Sequence, residues 1–205
     1  MIAMRPTITL VPIGPVSPGL VSCLAARLPE VFGRVIHIAA PVGLPASAYD
    51  GRRRQYRGPA LIAALQALRA PRGTCLVGLV DVDCYAPGLN FIFGQAAAEG
   101  REAVVALPRL RPVFYGLPDD PAVFHERVVK DVVHEVGHTW GLAHCAAPRC
   151  VMFFSNTLHD TDAKGVEFCS ACRARLASKH AQENEVEGKT PVGVLPGAGP
   201  RRGNA

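Results

Sequence analysis

The 205-residue sequence lacks any apolar run of about 20 residues, the length that a helix needs to cross a bilayer. Aromatic residues make up only 6% of the chain, and the net charge is a modest +5 with histidine neutral. Proteins that bind single-stranded nucleic acid generally interleave more basic residues with aromatic ones. These absences predict a protein that neither spans a membrane nor binds nucleic acid.

The densest basic run is formed by Arg52, Arg53, Arg54 and Arg57, and it is too small to indicate a nucleic-acid-binding surface. We interpret it as the solvent-exposed start of a helix that extends to about Ala70.

The N-terminal segment also lacks the features of a secretory leader. Its short apolar stretch is interrupted by Pro6, Pro12 and Pro15, and no small-residue cleavage site follows it. We interpret this segment as a first strand, and we expect a cytoplasmic protein that is a monomer.

Seven cysteines are many for a cytoplasmic protein, and an odd number cannot all pair within one chain. A reducing compartment favours free thiols or metal ligation over disulfides. Three of the cysteines are scattered, whereas the other four lie within 28 residues of one another: Cys145, Cys150, Cys169 and Cys172.

Short apolar runs alternate with amphipathic segments before this cluster. The apolar spacing in 18–32, for example, places Leu20, Leu24 and Leu28 on one helical face. The alternation predicts an α/β (α+β) fold with right-handed crossovers and a mixed sheet, in which 90–95 and 103–107 form a hairpin or an edge. The predicted strands are 7–11, 34–38, 75–82, 90–95 and 103–107, and the predicted helices are 18–32, 53–70, about 121–140 and a short one at about 172–180.

The segment HEVGHTWGLAHC, residues 134–145, carries the strongest chemical signal. His134 and His138 are four residues apart, so on a helix both imidazoles project from one face, as two zinc ligands require. Gly141 can turn the chain sharply, which would let His144 return as a third ligand. Glu135 could then act as the general base for a zinc-bound water. A bare HExxH pattern also occurs without a metal, but the added glycine and third histidine argue against a chance match of the whole motif.

The four clustered cysteines form a second motif, with a CxxC at Cys169 and Cys172 and a pair at Cys145 and Cys150. Their short spacings favour a closed, tetrahedral structural zinc site. Four reduced thiols without metal, or a redox-active CxxC, are the alternatives. A metal would stabilise a region that has few large apolar residues.

Together these motifs resemble the archaemetzincin family within the metzincin clan of zinc metallopeptidases. The pattern HExxHxxGxxH is followed directly by Cys145, then by Cys150 and Met152, then by the CxxC. The resemblance implies a catalytic zinc on His134, His138 and His144, with Glu135 as the catalytic residue. It also implies a structural zinc on Cys145, Cys150, Cys169 and Cys172. Met152 would pack below the catalytic zinc without binding it.

The resemblance further implies a metzincin-like architecture in two parts. Residues 1–141 would form an N-terminal α/β subdomain that includes the active-site helix. Residues 142–180 would form an irregular, zinc-stapled C-terminal subdomain. Independently of the resemblance, the polar and then Gly/Pro-rich composition of 181–205 predicts a disordered tail. A peptide substrate would bind as an extended strand at the sheet edge near 90–95.

The function expected is therefore hydrolysis of peptide bonds, by an endopeptidase or an aminopeptidase. The alternatives are a peptide-binding or regulatory zinc protein with little turnover and a hydrolase for a non-peptide amide or ester. Asn156 and His159 are weak candidates for a side chain that stabilises the oxyanion.

Overall fold

The computed structural model describes residues 7–188, with side chains described as far as Lys179. Three short 3-10 turns, Ala46–Ala48, Pro108–Leu110 and Pro112–Tyr115, accompany the regular elements. In chain order the strands and helices are β1 (Thr7–Ile13), α1 (Pro18–Phe32), β2 (Ile36–Ile38), β3 (Tyr49–Asp50), β4 (Gln55–Arg57), α2 (Gly58–Gln66), β5 (Thr74–Val80), β6 (Cys84–Tyr85), β7 (Gly94–Ala96), β8 (Glu102–Ala106), α3 (Pro121–Thr139), α4 (Leu158–Ala163) and α5 (Ser170–Gly188).

The main sheet has five strands in the order β2-β1-β5-β8-β7. The first four are parallel, and β7 runs antiparallel to β8 with Gly94 opposite Val105. The predicted α/β (α+β) fold with a mixed sheet is therefore confirmed, and β7 is the edge strand that the sequence placed near 90–95.

Helices cover both faces of this sheet, so alternate residues of each central strand enter different cores. Val77 and Leu79 of β5 pack with α1 and α3 on one face. Leu76 and Val80 pack with α2 on the other. Burial on both faces explains why these strands read as nearly continuous apolar runs.

The active-site helix of the prediction, α3, is present and largely buried. Asp120 caps it by accepting a hydrogen bond from the backbone N–H of Val123 at 3.0 Å, and Pro121 occupies its first turn. Along its length α3 buries Val128, Val132 and Val136 against the sheet and α1.

The helix predicted from residue 53 was wrong at its start. Arg54 has a φ of +57°, which no helix accommodates, and the turn is held by the Asp50 carboxylate, which accepts hydrogen bonds from the N–H groups of Arg52 and Arg53. Residues 55–57 then form β4, which joins a small three-stranded sheet in the order β3-β4-β6. The helix begins only at Gly58, where Pro59 suits its first turn.

The C-terminal part has few regular elements, as predicted, but it includes a short helix, α4, that the sequence did not reveal. Thr157 and Asp160 form a capping box at its start. The predicted helix near 172–180 begins at Ser170 and continues to Gly188. The rest of the predicted tail, 189–205, lies outside the described residues. None of the helices in 7–188 is long and apolar enough to cross a membrane.

Candidate active site and cysteine cluster

Three histidine side chains converge at the C-terminal end of α3. The Nε2 atom of His138 lies 3.1 Å from that of His134 and 3.2 Å from that of His144. A tetrahedral zinc site with Zn–N bonds of about 2.0–2.1 Å has N–N edges of about 3.3 Å. The three nitrogens therefore have the spacing of ligands to a single zinc ion.

Backbone carbonyl groups orient two of these rings. The Nδ1 of His134 lies 2.7 Å from the carbonyl oxygen of Val151, and the Nδ1 of His138 lies 2.8 Å from that of Leu142. Since a carbonyl oxygen can only accept, each Nδ1 donates, and each Nε2 presents its lone pair to the centre.

His144 reaches the other two because the chain reverses after α3. Gly141 has a φ of +77°, a conformation that side chains disfavour. Its N–H donates to the His138 carbonyl at 2.8 Å, and the N–H of Leu142 donates to the Gly137 carbonyl at 3.0 Å. The turn predicted for Gly141 is thus present, and His144 packs at its end against Phe154, with ring centroids 4.7 Å apart.

The electrostatics of the site keep the imidazoles neutral. Burial, assisted by the Lys164 ammonium, lowers the pKa of His134 to about 2. Burial also lowers the pKa values of His138 and His144. A neutral imidazole is the form that binds metal, so the three rings are in the state that a metal would require.

Glu135, the expected base, is 5% exposed and lies beside the edge strand β7. Burial, together with the neighbouring Asp131 carboxylate, raises the pKa of Glu135 well above its usual value, while Lys164 opposes that shift. The carboxylate therefore has an enhanced affinity for a proton.

Two buried charged residues in this region were missed by the sequence analysis. Lys164 is only 2% exposed, with its Nζ 3.5 Å from the Nδ1 of His134 and 3.5 Å from the carbonyl oxygen of Phe153. Asp131 precedes Glu135 by one helical turn, and burial raises its pKa to about 6. Asp131 and Glu135 are four residues apart, and this helical spacing could have predicted that their side chains are neighbours. Lys164 lies in a loop, and no sequence pattern predicted that its side chain enters the site.

The four clustered cysteines also come together, although they belong to two separate segments, 145–150 and 169–172. Their Sγ atoms all lie within 4.8 Å of one another. Cys145 and Cys169 are 3.8 Å apart at sulfur, as are Cys150 and Cys172. A disulfide would require about 2.05 Å, whereas a tetrahedral site with Zn–S bonds of about 2.3 Å has S–S edges of about 3.8 Å.

The donor set of the cluster also suits a metal. A hydrogen bond from the backbone N–H of Cys172 is the main cause that lowers the pKa of Cys169 to about 7, which favours the thiolate, whereas burial raises the pKa values of Cys150 and Cys172. The N–H of Cys169 in turn donates to the sulfur of Cys150 at 3.4 Å. Such N–H groups compensate negative charge on metal-bound thiolates.

Met152 contacts both α3 and the loop that carries Cys145. It is fully buried, and it lies so close to α3 that a methyl group on Gly137 would overlap its sulfur. Its carbonyl oxygen accepts a hydrogen bond from the N–H of Cys145 at 2.9 Å.

A cleft of about 660 Å³ opens over the three histidines. It is lined by residues 89–98, which include β7, and by 141–144 and 154–156. Asn156 lines this cleft, but His159 is not among the described residues that line it.

Comparison with known proteins agrees with these features. The model of Peptidase family M54 matches residues 38–178. The archaemetzincin of Methanocaldococcus jannaschii is 37% identical to this chain over 172 residues, which cover 84% of this chain and 93% of that protein.

Two solved structures share the fold. The crystal structure of archaemetzincin from Methanopyrus kandleri matches with a TM-score of 0.75 at 35% identity, covering 88% of this chain and 99% of its own. A zinc-dependent peptidase from Methanocorpusculum labreanum matches with a TM-score of 0.77 at 28% identity, covering 82% and 99%. The chain belongs to the archaemetzincin family, Peptidase family M54, and is a zinc metallopeptidase.

Proposed function

We propose that the chain hydrolyses peptide bonds at a catalytic zinc held by His134, His138 and His144, with Glu135 as the general base. The observation that carries this proposal is the set of three neutral imidazoles whose Nε2 atoms face one point at the spacing of a tetrahedral site. Three protein ligands leave a fourth position for water or substrate, as catalytic zinc sites require.

The bound zinc would supply Lewis acidity, which acidifies a water molecule and polarises the scissile carbonyl group. Glu135 would take a proton from the attacking water and pass it to the nitrogen of the leaving amine. Its raised pKa supports the first transfer, because burial favours the protonated carboxyl. The backbone carbonyls of Val151 and Leu142 would keep two imidazoles oriented throughout.

We further infer that a second zinc is structural and is held by Cys145, Cys150, Cys169 and Cys172. The sulfur spacings and the closed set of four donors support this assignment. Such a site would tie α5 to the loop that follows the third histidine, in a region with few regular elements.

The substrate would be a peptide or protein segment that extends along β7. This strand pairs with β8 on one side only among the described residues, and it borders the cleft. An extended peptide could therefore add to the sheet through main-chain hydrogen bonds. We propose that the cleft separates the two subdomains, 1–141 and 142–180, because residues from both parts line it.

We also infer a cytoplasmic, monomeric enzyme that needs neither nucleic acid nor a membrane. The support for the cytoplasmic assignment is that the cysteines of the described residues form no disulfide, which suits a reducing compartment.

The test is cleavage of a diverse peptide library by the wild type and by Glu135→Ala, with zinc measured in both proteins. We expect the wild type to cleave and the variant to bind zinc without cleaving. If both bind zinc and neither cleaves any peptide, the peptidase proposal fails, and a peptide-binding protein or a hydrolase for a non-peptide amide or ester replaces it.

A further inference from the structure

The Glu135 side chain lies directly against the backbone of the edge strand at Gly94. A methyl group on Gly94 would place its carbon 2.5 Å from Oε1, 2.6 Å from Cγ and 2.8 Å from Cδ of Glu135. Non-bonded carbon atoms pack at about 3.5–4.0 Å, so no side chain larger than hydrogen fits there. These three atoms are the nearest neighbours of that position.

Neither partner can easily move away. The backbone around Gly94 belongs to the ladder with β8, where the N–H of Ala106 donates to the Phe93 carbonyl at 2.7 Å. On the other side, Glu135 belongs to a buried helix whose next residue, Val136, is fully enclosed. Relief of a clash at Cγ, one bond from Cβ, would require rotation about the Cα–Cβ bond of Glu135, and such a rotation moves the whole carboxylate.

We propose that Gly94 is a positioning residue for Glu135. Because Gly94 has no side chain, the Glu135 side chain can lie directly against β7, and this contact fixes the carboxylate of the base beside the histidine centre. The inference rests on the proposed role of Glu135. It adds that the strand that would bind the peptide also fixes the base. The strand β7 would then both align the substrate and position the residue that transfers the proton.

Gly94→Ala is the direct test, with Gly43→Ala as the matched control. Neither glycine has a positive φ, and a methyl group on Gly43 meets nothing within 4 Å. A catalytic group misplaced by about 1 Å costs about 100-fold in rate, so we expect kcat of Gly94→Ala to fall by about that factor. Zinc content should not change, and KM for the library peptide that the wild type cleaves best should change less than kcat. Gly43→Ala should match the wild type.

A second measurement does not depend on turnover. The Tm of the metal-free protein should fall in Gly94→Ala, and it should fall as much when Glu135→Gln is the background, because glutamine has the same shape. In a Glu135→Ala background, Gly94→Ala should leave Tm unchanged or higher, since the clashing atoms are gone. If Gly94→Ala alone fails to fold, the double variant with Glu135→Ala should fold.

The outcomes separate this inference from the proposed function. Two results would overturn the positioning role: wild-type kcat in Gly94→Ala, or a Tm loss from Gly94→Ala that is the same in the wild-type and Glu135→Ala backgrounds. Full peptidase activity in Glu135→Ala would instead overturn the proposed base, while the Tm comparison would still decide whether the Gly94 contact exists.

Discussion

The Nδ1 of His134 and the carbonyl oxygen of Val151 lie 2.7 Å apart, and this contact joins the two candidate metal sites. Val151 stands between Cys150, a member of the sulfur cluster, and Met152, which packs under the helix that carries His134. The residue that orients the first imidazole is thus attached by one peptide bond to a candidate ligand of the second metal.

The first prediction concerns the number of zinc ions. His138→Ala should reduce bound zinc from about two ions per chain to about one and abolish peptide cleavage, because it removes the central nitrogen of the histidine set. Metal analysis of the purified protein measures this. The control is His159→Ala, which changes a histidine outside the cleft lining and should retain both ions. Unchanged zinc in His138→Ala would contradict the catalytic site.

The second prediction concerns the cysteine cluster. The double change Cys169→Ser and Cys172→Ser should also lower zinc to about one ion per chain, and it should lower Tm markedly, because metal binding contributes to folding. Cys23→Ser, which changes a thiol on α1 remote from the cluster in sequence, is the control. Two zinc ions with wild-type Tm in the double variant would show that the cluster is not a zinc site.

The third prediction concerns the turn after α3. Gly141→Ala should destabilise the protein by about 1–2 kcal/mol, because alanine is strained at a φ of +77°. It should also weaken binding of one zinc ion, since relaxation of the turn moves His144. The control is Gly116→Ala, because Gly116 has a similar φ of +74° and a methyl group there would meet nothing within 4 Å. This variant should lower stability without affecting zinc binding. Equal zinc affinities in the two variants would contradict the role of this turn.

The fourth prediction concerns the buried ammonium of Lys164. Lys164→Met should destabilise the folded protein, because it removes the positive charge that opposes the upward pKa shifts of the buried Asp131 and Glu135 carboxyl groups. Denaturant unfolding of the metal-free protein measures this change. Arg175→Met, a similar change at an exposed position of α5, should have little effect. Wild-type stability in Lys164→Met would show that the ammonium is dispensable.

The features that were predictable from the sequence depend on local spacing. His134 and His138 share a helix face because of the helical period, and Gly141 follows them closely enough that its turn could be anticipated. The cysteines are joined by short loops, so their meeting was also predictable. Continuous apolar runs such as that of β5 identified the central strands of the sheet.

The features that were not predictable depend on contacts between distant segments. Lys164 enters the site from a loop 30 residues beyond His134. The short helix α4 is held to α3 by a bidentate ion pair in which Arg127 donates to both carboxylate oxygens of Asp162, at 2.7 and 2.8 Å. Gly94 appeared in the sequence only as one residue of an apolar strand. The packing that gives it a role exists only when β7 lies against α3.

The most direct test of the proposed chemistry compares the wild type with Glu135→Gln, which keeps the shape of the side chain but cannot accept the proton. Both proteins should bind zinc at the same ratio per chain. The wild type should cleave a peptide of the library, and the variant should cleave it at least about 100-fold more slowly, the lower part of the range for loss of a general base. Equal cleavage rates at equal zinc content would contradict the assignment of Glu135 as the base.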